Sequence, residues 1–153
     1  MKLFNLRNSK SILGIVILCF VAYADAASIR LQPASSGTFY VAGSFSPSIN
    51  LNLLVDTGSS FTILDPDSLA QLVAAGSTTH KRDIVGTMAD GSERNVAVYH
   101  IKEMWVGECI LQGIEAVSLG PNATPVLGMN ALRELGSFSL DFESHQLSVN
   151  CRI

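Results

Sequence analysis

Residues 49–64, INLNLLVDTGSSFTIL, place one carboxylate and one glycine between two apolar segments. Residues 49–55 alternate and then become continuously apolar, which predicts a strand that enters the core just before Asp56. Residues 60–64 predict a second apolar strand. An ionised group in such surroundings is costly unless it has partners, and carboxylates in such settings concentrate at functional sites. Asp56 is therefore the candidate catalytic residue.

The rest of the chain is typical of an all-β domain with one or two short helices, because short apolar segments alternate with turn residues. Asp65 and Pro66 predict the start of a helix over residues 65–75, and Gly76 predicts its end. A shorter helix is expected over residues 130–135. Further strands are predicted at residues 29–32, 38–45, 83–88, 93–101, 109–119, 125–127, 138–142 and 146–149.

The first 26 residues have a different character. Three basic residues precede an apolar run over residues 12–23, and Ala24 and Ala26 supply the small side chains that a signal peptidase reads. The apolar run is short for a membrane span, which needs about twenty residues. We therefore predict a signal peptide over residues 1–26 and an exported domain, periplasmic or secreted, over residues 27–153. The alternative is an uncleaved segment that anchors the domain to the membrane.

Charge and residue spacing exclude several classes of partner. The net charge is −3, and removal of the predicted signal peptide, which carries three basic residues and one acidic residue, leaves −5. No basic patch suggests nucleic acid. We expect no metal and no cofactor, since the cysteine and histidine spacing of a zinc site is missing. Asp141, Glu143 and His145 alternate in a predicted hairpin, where such a set is more typical of a solvated face than of a metal site.

Two cysteines, Cys109 and Cys151, belong to the predicted domain. In an exported protein they could form one disulfide. Two separate, half-buried thiols fit the sequence as well, and Cys151 is close enough to the chain end to bridge to a partner chain. The sequence leaves these alternatives open.

The sequence resembles the retropepsin-like aspartic proteases, particularly bacterial single-domain members. The similarity extends over nearly all of the predicted domain. GTFYVAGSF and INLNLLVDTGSSFTIL are similar to the opening strands and catalytic loop of that family, and VGTMADGSERNVAVYHI is similar to its flap hairpin, with an Asp-Gly turn signal. TPVLGMNALREL resembles the second family hallmark, two apolar residues and a glycine before a short helix, and FSLDFESHQLSV resembles the terminal hairpin.

The resemblance implies a closed, retropepsin-like acid protease barrel that binds extended peptides under a flap. It assigns the catalytic role to Asp56, with Thr57 and Gly58 shaping the loop. We further expect Ser59 to donate a hydrogen bond to the outer oxygen of Asp56. The predicted flap and substrate-binding residues are Met88, Ala89, Asp90 and Gly91. The residues expected to support the catalytic loop from behind are Val126, Leu127 and Gly128.

The chain carries only one Asp-Thr-Gly motif and is too short for a second lobe. The resemblance therefore implies a homodimer in which two copies of Asp56 share a proton, activate a water and hydrolyse a peptide bond. The terminal segments near Ile29 and Ser148 are candidate interface strands. The alternative function is a non-catalytic peptide-binding or structural dimeric module with the same fold.

Overall fold

The computed structural model describes residues 26–151, so the predicted signal peptide lies outside the described residues except for Ala26. Strands dominate this part of the chain, and the two helices are short. The elements are β1 (Ala27–Arg30), β2 (Gln32–Pro33), β3 (Phe39–Ser46), β4 (Ile49–Val55), β5 (Thr62–Ile63), α1 (Pro66–Ala74), β6 (Thr78–Thr87), β7 (Glu93–Val106), β8 (Cys109–Val117), β9 (Val126–Leu127), α2 (Met129–Glu134), β10 (Phe138–Asp141) and β11 (Gln146–Val149). The predicted all-β fold with short helices is confirmed.

Eight of the strands form one sheet in the order β2-β3-β4-β9-β5-β8-β7-β6. An additional pairing joins β3 to β7 through Gly43 and Val106, which closes the sheet on itself. Most neighbours are antiparallel, whereas β4 with β9 and β5 with β8 run parallel. Closure leaves few free edges, as in other small barrels.

The barrel interior is filled by the inward-facing residues of these strands. Leu53 and Met104 are fully buried and lie against Gly43. A Cβ at Gly43 would come within 2.6 Å of the Leu53 side chain, so a larger residue at this strand position would force the buried Leu53 side chain to move. The largest fully buried side chains are Leu31, Leu53, Leu64, Leu72, Ile101, Met104, Leu111, Leu127, Leu132, Leu135, Leu147 and Val41.

The remaining three strands form the terminal sheet, defined here as β1, β11 and β10 in that order. Ser148 of the central strand pairs with Ser28 on one side and Ser139 on the other. Both edges of β11 are therefore occupied by strands of the same chain, and the free edges of this sheet belong to β1 and β10. The terminal sheet packs on the barrel through Ile29, Leu147 and Val149, which are buried in the same core as the barrel residues, and Ile29 lies beside Gly107 in the β7–β8 turn.

Cys109 and Cys151 form a disulfide within the chain. Of the alternatives that the sequence left open, the structure therefore has the intrachain bond. Cys109 is fully buried at the start of β8, and Cys151 is half-buried just after β11. The bond thus joins the terminal sheet to the barrel.

The predicted helix start is present in α1. The Asp65 carboxylate accepts hydrogen bonds from the Ser68 backbone N–H (2.9 Å) and hydroxyl (2.6 Å), and Pro66 occupies the first turn. Gly76 follows the helix with a φ of 68°, a conformation that glycine adopts at little cost. The cap, the proline and the glycine all lie close together in sequence, which is why local reasoning located this helix.

Several predicted strands differ in length from those observed. Residues 60–64 form a strand only over Thr62–Ile63, because the carbonyls of Ser59 and Ser60 accept hydrogen bonds from the start of α2 instead of a strand. The hairpin arms are longer than predicted, with β6 beginning at Thr78 and β7 ending at Val106. The polar residues of β6 obscured the strand pattern.

Two polar residues of β6 connect the β6–β7 hairpin to β8. Arg82 of β6 donates two hydrogen bonds of 2.7 Å to the Glu115 carboxylate on β8, and Lys81 lies 2.7 Å from the same group. The hydrogen bonds from Arg82, followed by the one from Lys81, lower the pKa of Glu115 to about 2. The three side chains link the first and third strands of this part of the sheet across β7.

We expect Glu115→Gln to lower the free energy of unfolding at pH 7 by about 1 kcal/mol. The value is small because the side chains of Lys81 and Arg82 are 48% and 43% exposed, so solvent screens their charges. Because folding depresses the pKa of Glu115, its stabilisation is full above pH 4.5 and is lost as pH falls towards about 2. Urea unfolding at several pH values measures the difference, with Glu108→Gln in the exposed β7–β8 turn as the control. A difference that stayed constant down to acid pH would contradict this role.

Candidate active site

Asp56 lies directly after β4, at the point where that strand leaves the sheet. Leu54 and Val55 pair in parallel with Val126 and Leu127 of β9. The backbone N–H of Asp56 donates to the Leu127 carbonyl at 3.2 Å, which continues the ladder by one residue. The position of the carboxylate is therefore set by a strand that lies far away in the sequence.

The loop after Asp56 folds back on its carboxylate. The Gly58 backbone N–H donates to Asp56 Oδ1 at 2.8 Å, and the Ser59 N–H donates to the Asp56 carbonyl at 3.4 Å. A Cβ at Gly58 would lie 3.1 Å from Asp56 Oδ1, closer than most side chains tolerate. Glycine thus allows the backbone to approach the carboxylate and fix its orientation.

The Ser59 hydroxyl does not donate to the Asp56 carboxylate as predicted. Its hydroxyl donates to the Phe61 carbonyl at 2.8 Å, because the loop turns that carbonyl back towards the serine. The prediction of a hydrogen bond from Ser59 to the outer oxygen of Asp56 is therefore wrong. The Ser59 hydroxyl instead stabilises the second half of the loop. Thr57 is exposed on the same loop.

The loop is supported from behind by the segment that begins with β9. The Met129 N–H donates to the Ser59 carbonyl at 2.7 Å. Gly128 precedes α2 and has ordinary extended backbone angles, yet a Cβ there would lie 2.2 Å from the Phe61 carbonyl oxygen. Position 128 therefore requires glycine because there is no room for a side chain, and not because the backbone conformation is unusual. Val126 and Leu127 are both buried beside β4.

Sequence reasoning missed one residue of this support. Asn130 Oδ1 accepts hydrogen bonds from the Thr62 hydroxyl (3.2 Å) and the Ala131 N–H (2.9 Å), and its Nδ2 donates to the Glu115 carbonyl (2.5 Å). This half-buried amide joins α2 to β5 and β8. An amide directly after Gly128-Met129, inside an otherwise apolar segment, is the signal that could have drawn attention to it.

The predicted flap is the tip of the β6–β7 hairpin. The Met88 N–H donates to the Ser92 carbonyl at 2.8 Å, and the Gly91 N–H donates to the Met88 carbonyl at 2.9 Å. The Asp90 carboxylate accepts from the Ser92 hydroxyl and N–H, which lowers the pKa of Asp90. Gly91 has a φ of 81°, so the turn uses a conformation that glycine adopts readily.

Asp56 and the flap face each other across a groove with a volume of about 490 Å³. Of the predicted flap residues, Met88 and Ala89 line the groove, whereas Asp90 and Gly91 form the outer turn. Asp56 is the one ionisable residue among the groove-lining residues that the structure describes. The apolar part of the wall comprises Phe61, Ile63, Ile84, Val85, Val96, Val117 and Leu119. One acid therefore lies in a largely apolar cleft of a size that suits a short extended segment.

The predicted terminal hairpin is present, and its first strand ends one residue earlier than expected. Residues 138–142 were expected to form one strand, but β10 ends at Asp141, whose side chain accepts hydrogen bonds from the N–H groups of Glu143 and Ser144. Asp141, Glu143 and His145 therefore lie around a turn and not on one face of a strand. Within residues 26–151 no cluster of three or more metal-ligating side chains occurs. Neither α1 nor α2 is long and apolar enough to cross a membrane.

Comparison with known proteins agrees with this geometry. Residues 43–134 match the family described as "gag-polyprotein putative aspartyl protease". No curated protein matches the sequence. A crystal structure of a retropepsin-like aspartic protease from Rickettsia conorii is similar in fold, with 20% sequence identity, a TM-score of 0.60, and coverage of 82% of this chain and 91% of that one. The matched family segment contains the Asp56 loop, the flap and the Gly128 support. The chain therefore belongs to this gag-type aspartyl protease family and has the retropepsin-like fold.

Proposed function

We propose that this protein is an aspartic endopeptidase in which two chains each contribute Asp56 to one active centre. The observation that carries the proposal is the position of Asp56, which is the one ionisable group that residues 26–151 place in the wall of the groove beneath the flap. A single carboxylate cannot both accept a proton from water and donate one to the substrate carbonyl. A second Asp56, from an identical chain, supplies the missing group.

The two carboxylates share one proton, since like charges about 3 Å apart do not ionise together readily. The ionised Asp56 takes a proton from a water held between them, and that water attacks the carbonyl carbon of the peptide bond. The protonated Asp56 donates to the carbonyl oxygen, and the resulting intermediate collapses as the leaving nitrogen is protonated. Gly58 contributes by fixing each carboxylate through its N–H.

An extended peptide is the substrate that best suits the groove. Residues 84–89, which belong to β6 and the flap turn, line the groove on one side. Pairing of β7 with β8 ends at Val98, so within the part of the chain that the structure describes, residues 93–97 have no strand partner on that side and can accept an added strand. The apolar wall around Ile84, Val96 and Val117 favours apolar side chains near the bond that is cut. Binding through the backbone and through such contacts needs no metal or cofactor.

We further propose that the protein works outside the cytoplasm, in the periplasm or after secretion. The predicted signal peptide supports this location, and so does the Cys109–Cys151 disulfide, because such bonds persist mainly in oxidising compartments. If residues 1–26 stay attached, the same domain would work from the membrane surface.

Mixed dimers test the shared active centre. When equal amounts of wild-type chain and Asp56→Asn variant are unfolded and refolded together, about a quarter of the dimers contain two wild-type chains. We expect hydrolysis of an unfolded protein substrate to fall to that fraction of the activity of the same total chain concentration of wild type. Activity at one half would mean that each chain works alone, and would contradict the proposal.

Asp67→Asn provides the matched control. Asp67 is exposed in the first turn of α1, and the change also replaces one carboxylate with an amide. Mixtures of wild type with this variant should keep full activity at every ratio. A similar loss with both variants would indicate a refolding artefact and not a shared site.

A further inference from the structure

The inner face of the flap has one position without a side chain. Ile84, Gly86 and Met88 are half-buried, whereas the residues between them are exposed, so these three share the inward face of the hairpin arm. A Cβ at Gly86 would lie 3.3 Å from Met88 Cε and 3.4 Å from Val96 Cγ2. Both of those side chains line the groove, so the space above Gly86 is on the groove side of the flap.

The walls of this space differ in how firmly they are held. Val96 is buried and Ile84 is half-buried, and both belong to an apolar cluster that also contains Val117. Met88 follows β6 in the flap turn, where a hydrogen bond to Ser92 holds its backbone. Its side chain is unbranched and only half-buried, so it can change rotamer at little cost. The space above Gly86 therefore has two fixed walls and one adaptable wall.

We propose that the space above Gly86 is a subsite for one large apolar side chain of the peptide, and that Met88 adjusts its size. The inference rests on the proposed function and names the side chain that the groove selects. When the peptide presents a small side chain, Met88 stays over Gly86 and fills the space. When the peptide presents leucine or phenylalanine, the Met88 side chain turns away and the incoming side chain contacts Ile84 and Val96. All of these walls belong to one chain, so the subsite does not depend on how two chains are arranged.

A charged residue pairs with Gly86 but does not contribute to the groove wall. Arg94 lies opposite Gly86 in the ladder of β6 with β7, and its side chain is exposed. Asp56 is the one ionisable residue among the groove-lining residues that the structure describes. Burial of an apolar side chain above Gly86 is therefore favourable, whereas a carboxylate placed there would lose its hydration. An acidic side chain thus provides the negative test.

Digestion of an unfolded protein, followed by mass spectrometry of the new chain ends, measures the residue preference at each position around the cut bonds. We expect the wild type to favour leucine and phenylalanine over alanine at the position that reaches Gly86. Gly86→Ala should lower that preference by about tenfold, because the added methyl group occupies the space and pushes Met88 into it. Met88→Ala should raise the preference by about threefold or more, because small side chains then leave the space unfilled.

Val73→Ala is the matched control, since Val73 is an exposed apolar residue of α1 and lies outside the groove. It should leave the preference at every position unchanged. Identical preferences for the wild type, Gly86→Ala and Met88→Ala would overturn the proposal, and so would a preference for acidic side chains at the position that the variants alter. A uniform loss of cleavage in both variants, without a change in preference, would mean that they affect the flap as a whole and would also overturn it.

Binding measured without cleavage separates this proposal from the proposed function. The probes are short peptides of alanine and serine whose central residue is alanine, leucine, phenylalanine or glutamate, and the protein carries Asp56→Asn. The ¹³C-methyl signal of Met88, assigned by its absence in Met88→Ala, should move with the leucine and phenylalanine probes and much less with the others. If the wild type cleaves no substrate, the protease assignment fails and these signals still decide the subsite. Cleavage by the wild type, together with equal or absent movement of the Met88 signal for all probes, would leave the protease assignment in place and overturn the subsite.

Discussion

Replacing Asp56 with asparagine is expected to lower the kcat for peptide hydrolysis by roughly 10³-fold without unfolding the protein. The amide has the shape of the carboxylate, and its oxygen can still accept the hydrogen bond from the Gly58 N–H. It cannot, however, take a proton from water or share one with a second carboxylate. The loss should therefore appear in kcat, while KM, which depends on the groove walls and the flap, changes little.

The control for this prediction is again Asp67→Asn, whose kcat should match that of the wild type. Cleavage of an unfolded protein at several pH values between acidic and neutral gives both kinetic constants. If Asp56→Asn kept activity close to the wild-type level, Asp56 would not be catalytic. The non-catalytic module would then be the better description of a chain with this fold.

Replacing Gly128 with alanine is expected to lower the free energy of unfolding by about 3 kcal/mol or more. An added Cβ would lie 2.2 Å from the Phe61 carbonyl oxygen and 3.0 Å from that of Ser59. Both atoms belong to backbone that cannot rotate away as a side chain could. Either α2 or the Asp56 loop must move, and the Met129–Ser59 hydrogen bond would be strained or lost.

Gly37→Ala is the control, because it replaces a glycine with alanine at a position where the added methyl group meets no other atom. Gly37 has a φ of 82°, but no atom lies within 4 Å of the position that a Cβ would take. The change should therefore cost only about 1 kcal/mol, from the left-handed backbone conformation. Urea unfolding of both variants gives the comparison. Equal stabilities for the two variants would mean that the packing behind the Asp56 loop tolerates a methyl group.

The parts of the fold that could be predicted from sequence are those that depend on near neighbours. The bounds of β4 and β11 match the prediction, since their apolar patterns are bordered by clear turn residues. The flap turn follows from Asp90-Gly91, and the start of α1 follows from Asp65 and Pro66. In each case the residues that decide the conformation lie within a few positions of one another.

The errors concern residues whose partners are distant in sequence. Residues 60–64 have the composition of a strand. The carbonyls of Ser59 and Ser60, however, accept hydrogen bonds from the backbone N–H groups at the start of α2. The direction of the Ser59 hydroxyl depends on how the loop turns the Phe61 carbonyl, which no pattern encodes. Asn130 likewise acquires its role only when Thr62 and Glu115 are brought beside it. Hydrogen bonds of this kind are decided by the tertiary fold.

The parallel pairing of β4 with β9 determines how late in synthesis the loop at Asp56 can fold. Leu54 and Val126 are neighbours in the sheet although about 70 residues separate them along the chain, and contacts of such long range form slowly. A ribosome must deliver almost the whole polypeptide before the strand beside Asp56 exists. Because domains emerge from the ribosome residue by residue, the nascent chain passes most of its translation before the loop at Asp56 can reach its final shape.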